Sequence, residues 1–183
     1  MKRRRVTDLK KKIILLLSAG VALGTAKTMS KQFDILKEVS KEWRLIDRTS
    51  LHKSLISLYD SKVISLRPKG DTYEIILSGE GKRLAARFNL ENLKIKKQEK
   101  WDDLWRLVMF DIPEKRKKGR EALRFHLKEM GMLEYQKSIF ICPYPCEKEV
   151  KFVTEFFLLR SYVKFIIAKA VSDEEKFRRK FNL

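Results

Sequence analysis

Asp111 closes an apolar run, Arg106-Leu-Val-Met-Phe-Asp111-Ile-Pro, and a carboxylate placed where a strand ends is a ready ligand for a hard divalent cation such as Mg²⁺. One chain offers only Asp111 and Glu114 in this neighbourhood and no histidine, so a catalytic metal would need the Asp111 of a second, symmetry-related copy. The competing use is structural, with Asp111 capping the turn that Ile112-Pro113 begins. Cys142 and Cys146, in Cys-Pro-Tyr-Pro-Cys, would supply zinc with two of its four ligands, and no second Cys/His pair stands near them. They are expected to be core or loop residues. His52 and His126 fall in separate helical segments as surface residues, neither with a partner that would build a nucleophilic triad. No cofactor is expected, Mg²⁺ belonging only to the metal-dependent alternative.

A second chemistry is the binding of a polyanion. Arg48, Thr49, Ser50, Lys53 and Ser57 combine cations for phosphates with hydroxyls that reach phosphates or base edges. Arg67 and Lys69 follow on a hairpin. A basic arm, Lys2 with Arg3, Arg4 and Arg5, precedes them and suits a duplex backbone or minor groove. The whole chain agrees, with 42 Lys+Arg against 24 Asp+Glu and a formal net charge of +18 over 183 residues. Residues 1–88 hold 20 basic and 9 acidic residues, net +11, and the remainder 22 and 15, net +7, so both parts are expected to be able to face DNA, the first more strongly.

These side chains need elements to position them. Residues 9–24 read as a helix, with Leu9, Ile13, Leu16, Leu17 and Leu23 on a wide apolar face and Asp8 favouring its N-terminus. A helical segment from about Ser30 sets Phe33, Leu36 and Val39 at spacing three, and Ser40 to Asp47 turns the chain. From Arg48, Leu51, Leu55, Leu58 and Lys62 form one stripe of a third helix, so Thr49, Lys53, Ser57 and Asp60 point the other way. Val63 to Arg67 and Thr72 to Leu77 read as strands about a turn at Pro68-Lys69-Gly70-Asp71. Ser78 caps a fourth helix through Phe88, despite glycines at 79 and 81. This order predicts a winged helix-turn-helix.

Residues 89–104 read as a linker, with Leu93 and Ile95 alternating with lysines. Beyond it come a strand at Trp105 to Phe110, a helix at Glu114 to Met130 stopped by Gly131, and a strand or bent strand pair at Leu133 to Cys142. A helix at Glu147 to Leu158, a strand at Tyr162 to Ala170 and a terminal helix at Asp173 to Phe181 complete the chain. Strand, helix, strand pair, helix, strand is the order of a ferredoxin-like fold. Trp101, Trp105 and Phe110 are expected to pack at the domain junction. The predicted class is α+β: residues 1–88 a winged helix-turn-helix DNA-binding domain, 105–183 a ferredoxin-like (βαββαβ) dimerisation domain. The two cysteines are too few for a disulfide scaffold and point to the cytoplasm. The apolar run Ile13 to Ala26 is too short for a bilayer span, so no membrane partner is expected.

The run Arg106 to Arg116, followed by Arg120, Leu123, Leu127, Gly131 and Gln136-Lys-Ser-Ile-Phe140, resembles two related families. One is the small CRISPR-associated endonucleases, ferredoxin-like dimers that partner the spacer integrase, with an Asp after the first strand and a Gln-x-Ser-x-Phe on the second. The other is the PaaX-like transcriptional repressors, in which a winged helix-turn-helix precedes the same kind of domain. The architecture is similar to the second, although residues up to Leu183 do not include the additional C-terminal domain of its longer members. That resemblance implies a homodimeric, sequence-specific repressor of double-stranded DNA, with a small-molecule effector of the acyl-coenzyme A class. The first implies a metal-dependent nuclease or spacer-adaptation protein, with Asp111 holding Mg²⁺ and the integrase as partner.

Overall fold

The computed structural model describes residues 7–21, 23–26, 34–35 and 45–183, which divide into two units at Glu91/Asn92. In the first unit the Thr7 hydroxyl accepts the Lys10 N–H at the start of helix α1 (Asp8–Ser18), and Asp8 lies in the first turn. The helix stops six residues earlier than its apolar spacing predicts. Gly20, at φ +79°, donates to the Leu17 carbonyl and Val21 to that of Leu16, the paired bonds of a Schellman ending that needs a left-handed residue after the helix. Leu23 is therefore buried from strand β1 (Leu23–Ala26) and not from the helix. Strand β2 (Asp34–Ile35) pairs antiparallel with β1, so these two residues are extended where a helical segment was expected. Phe33, Leu36 and Val39 lie outside the described residues, as does the arm with Arg3, Arg4 and Arg5.

Helix α2 (Arg48–Asp60) buries Leu51, Ser54, Leu55 and Leu58. Lys62, expected on this stripe, is exposed beyond the helix at φ +58°, where it supplies the left-handed residue of another Schellman ending through Val63 N–H to the Leu58 carbonyl. Strands β3 (Ile64–Lys69) and β4 (Thr72–Leu77) form a hairpin whose turn is the pair Gly70-Asp71, with Gly70 at φ +59°. Pro68 and Lys69 belong to the strand, and Pro68 is tolerated because β3 is an edge in the order β2-β1-β4-β3. Ser78 caps helix α3 (Gly79–Glu91) as expected, its hydroxyl accepting the Gly81 N–H at 3.1 Å. Helices α1 to α3 enclose one core with the sheet, centred on Ile13, Ile14, Leu23, Leu55 and Ile75.

The second unit is a four-stranded antiparallel sheet in the order β6-β7-β5-β8, built from β5 (Trp105–Phe110), β6 (Leu133–Gln136), β7 (Ile139–Cys142) and β8 (Val163–Ala168). Helix α4 (Lys117–Glu129), entered through a 3₁₀ turn at Glu114–Arg116, follows β5, and α5 (Glu147–Phe156) follows β7. This is the connection and strand order of a ferredoxin-like fold. The segment expected to link the halves packs on this unit: Ile95 is buried and its N–H donates to the Met130 carbonyl. Helix α6 (Glu174–Phe181) packs Phe177 and Phe181 on Trp105, whose ring lies 4.9 Å from that of Trp101. Trp105 thus belongs to the interior of the second unit with the half-buried Trp101 packed against it, and Phe110 stacks on Phe140 in the same unit. Among the described residues no helix is long and apolar enough to cross a membrane.

Candidate functional site

In α2 the first turn is exposed through Arg48, Thr49, Ser50 and Lys53. Asp47 ends the preceding turn and its carboxylate accepts the Ser50 N–H at 2.8 Å, a bond that holds the carboxyl below its ordinary range and fixes how the turn begins. Among the described residues neither Arg48 nor Lys53 is in a salt bridge, although the Lys53 charge adds to the lowering of the Asp47 carboxyl, and both cations are exposed. Ser57 differs from expectation. It is half-buried, and its hydroxyl takes a 2.6 Å hydrogen bond from the Lys10 ammonium of α1, because the helical stripe Thr49, Lys53, Ser57 drifts round to that neighbour.

The hairpin also divides. Arg67 stands opposite Glu74 in the register and is ion-paired with it, which lowers the Glu74 carboxyl below its usual range and neutralises the Arg67 charge locally. Lys69 remains exposed at the turn, its carbonyl receiving the Thr72 hydroxyl at 2.9 Å. The cross-strand Glu74 and the role of Lys10 were not readable from the sequence, since both depend on which strand and which helix lie alongside.

In the second unit Asp111 is exposed at the end of β5, and its N–H donates to the Tyr162 carbonyl at 3.0 Å. Its side chain caps nothing: the 3₁₀ turn starts from Pro113 without a side-chain cap, and Glu114 is engaged by Arg120 at 2.8 Å, which lowers the Glu114 carboxyl. Asp111 opens instead on a cleft of about 700 Å³, shared with Gln136, Lys137, Ser138, Tyr162 and Lys164. Among the described residues no group of three His, Cys, Asp or Glu side chains is placed to hold a metal ion.

Arg106, inside β5, is almost wholly buried. It forms a two-pronged bond to Asp102 at 2.6 and 2.5 Å and donates to the carbonyls of Leu104 and Pro143, locking the strand to the Cys142-to-Cys146 loop. Cys142 and Cys146 are buried beside it. The hydrogen bond between the thiols, together with burial, pushes Cys146 well above its ordinary value, so it stays a thiol. His52 is half-buried on α2. His126 is half-buried between the rings of Phe125 and Phe157, and burial lowers its pKa.

Residues 98–179 match the family model of the PaaX protein central Cas2-like domain, the same stretch that carries the ferredoxin-like sheet. No curated protein matches the chain.

Proposed function

With a PaaX-like, Cas2-like ferredoxin domain in its second unit, we propose that the chain is a cytoplasmic transcriptional regulator, a repressor that binds a specific double-stranded DNA site as a homodimer. The first unit acts as a winged helix-turn-helix, α2 being the recognition helix and the β3–β4 hairpin the wing. The observation that carries the reading is the open N-terminal part of α2, where Arg48, Thr49, Ser50 and Lys53 are exposed together and, among the described residues, neither cation is in a salt bridge, Asp47 being bonded to Ser50 as the cap. The family of the second domain and the net charge of +18 agree with it.

Support for the dimer comes from β8, which among the described residues is an edge strand paired with β5 alone. Ile166 is 39% exposed and Ile167 56%, on opposite faces, with exposed Lys164 and Lys169 at either side to discourage indiscriminate pairing. A twofold dimer through the second unit would present two recognition helices to a pseudo-palindromic site.

Selection of bound duplexes from a random pool, followed by mobility-shift titration, tests the proposal. A single enriched site with half-sites about one helical turn, or a multiple, apart is expected. The Arg48→Ala/Lys53→Ala variant should lose specific affinity by at least about tenfold, or 1.4 kcal/mol. Binding within about twofold of the parent would mean that α2 is not the recognition helix.

A further inference from the structure

The cleft at Asp111 has a charge balance opposite to that of a cation site. Lys137 and Lys164 line it against the single carboxylate of Asp111, and the Arg116 guanidinium lies 5.4 Å from the Tyr162 ring that forms part of the wall. Register places Lys164 and Ile139 as the two neighbours of Met109, so an ammonium, a thioether and an isoleucine form a row across three strands. The walls are tied by backbone bonds, Phe110 N–H to the Ser138 carbonyl and Asp111 N–H to the Tyr162 carbonyl, both at 3.0 Å, while Arg124 donates to the Lys137 carbonyl. The cleft is therefore formed before any ligand arrives.

We infer that this cleft binds a small organic anion, a carboxylate or phosphate ester carried on a ring or short apolar chain. The anionic group sits between Lys137 and Lys164 with the Ser138 hydroxyl in reach, and the apolar part lies on Met109, Ile139 and Tyr162. Lysine suits such a group as a mobile point charge. A volume of about 700 Å³ is in the range of small-molecule sites and far larger than an ion requires. Mg²⁺, in contrast, needs several oxygen ligands and an anionic surround. A second copy does not change this, because it brings two lysines with each added Asp111. The inference rests on the second unit alone, and its failure would leave the DNA-binding reading untouched.

The test is calorimetric titration of the full-length protein with phenyl phosphate, benzoate, inorganic phosphate and benzyl alcohol, the first two separating phosphate from carboxylate. At least one aryl anion should bind, with inorganic phosphate weaker by about tenfold and benzyl alcohol silent. Lys137→Ala/Lys164→Ala should weaken the aryl anion by about tenfold or more, and Lys169→Ala, outside the cleft, by less than about twofold. Asp111→Asn should tighten it, since a like charge is removed without a change of shape. Melting curves show whether each variant is folded, and Lys137→Arg/Lys164→Arg should retain binding. The inference is overturned if neither aryl anion binds at millimolar concentration, if Lys169→Ala has the same effect as the cleft variants, or if Asp111→Asn abolishes a Mg²⁺ or Mn²⁺ site in the cleft.

Discussion

Gly81 and Gly79 look alike in the sequence, two residues apart in the first turn of α3, and physics separates them. A Cβ at Gly81 would lie 2.0 Å from the Val63 carbonyl oxygen, which is held by both the Ser78 N–H and the Ser78 hydroxyl. That oxygen cannot retreat without undoing the helix cap, so Gly81→Ala should cost roughly 1–3 kcal/mol, against the usual preference for alanine in helices. At Gly79 nothing lies within 4 Å, and alanine there should be neutral or stabilise by up to about 1 kcal/mol. Urea denaturation of the two variants measures the contrast; equal effects would contradict the close approach. The Arg106–Asp102 pair is a second residue-scale device. Asp102→Asn leaves a buried guanidinium without its counter-charge and should cost about 3 kcal/mol, the lower end for buried pairs because Asp102 is itself 39% exposed. The same pair sets a pH dependence. The Arg106 hydrogen bond lowers the Asp102 pKa from 3.8, so its stabilisation is complete above that value and is lost as pH falls through the lower, folded-state value. Tryptophan fluorescence melts below pH 4 should show less further loss for Asp102→Asn than for the parent protein.

At the scale of elements, what was legible followed from how local the determinants are. Helix α2, the β3–β4 hairpin, β5 and α4 carry their periodicity, caps and turn residues within a dozen positions, and the sequence alone places them close to their observed bounds. Helix α1 was read too long because Leu23 continues the seven-residue spacing from Leu16, while the stronger signal was Gly20 at the Schellman position. Strand β1 was unreadable for a different reason: Leu23 pairs with Ile75, a contact across half the unit that no short window contains. In the candidate site, exposure of the first turn of α2 was legible, but Lys10 on Ser57 and Glu74 on Arg67 are tertiary facts. The β8 edge supports a prediction at this scale. If the homodimer forms there, Ile167→Glu places like charges on the shared edge and should give a monomer at micromolar concentration by sedimentation velocity, with its own fold intact by circular dichroism. An unchanged dimer would move the interface elsewhere.

For the whole molecule, the net charge of +18 overstates the cations available to DNA. Among the described residues of the first unit, Arg67, Arg83, Arg87 and Lys11 are each already paired with a glutamate. On α2 and the hairpin this leaves Arg48, Lys53 and Lys69, so a dimer would neutralise about six phosphates through them, for a slope of log affinity against log salt near −5 and a loss of about 10³-fold between about 50 and 200 mM salt. Removing Glu74 should then strengthen binding, both because a like charge is lost and because Arg67 is released. Glu74→Gln keeps the cross-strand hydrogen-bonding shape but releases the Arg67 charge, adding about one phosphate contact per protomer. The expected outcome is tighter binding to the selected site at low salt and a slope steeper by about 2 for the dimer. The same substitution in the Arg48→Ala/Lys53→Ala background should restore part of the lost salt dependence without restoring sequence preference, because Arg67 on the wing would reach phosphate and not base edges. A slope unchanged by Glu74→Gln would mean that the hairpin does not face the duplex, and Lys69 would then drop out of the count, leaving Arg48 and Lys53 of α2 with about four phosphates per dimer and a slope nearer −4.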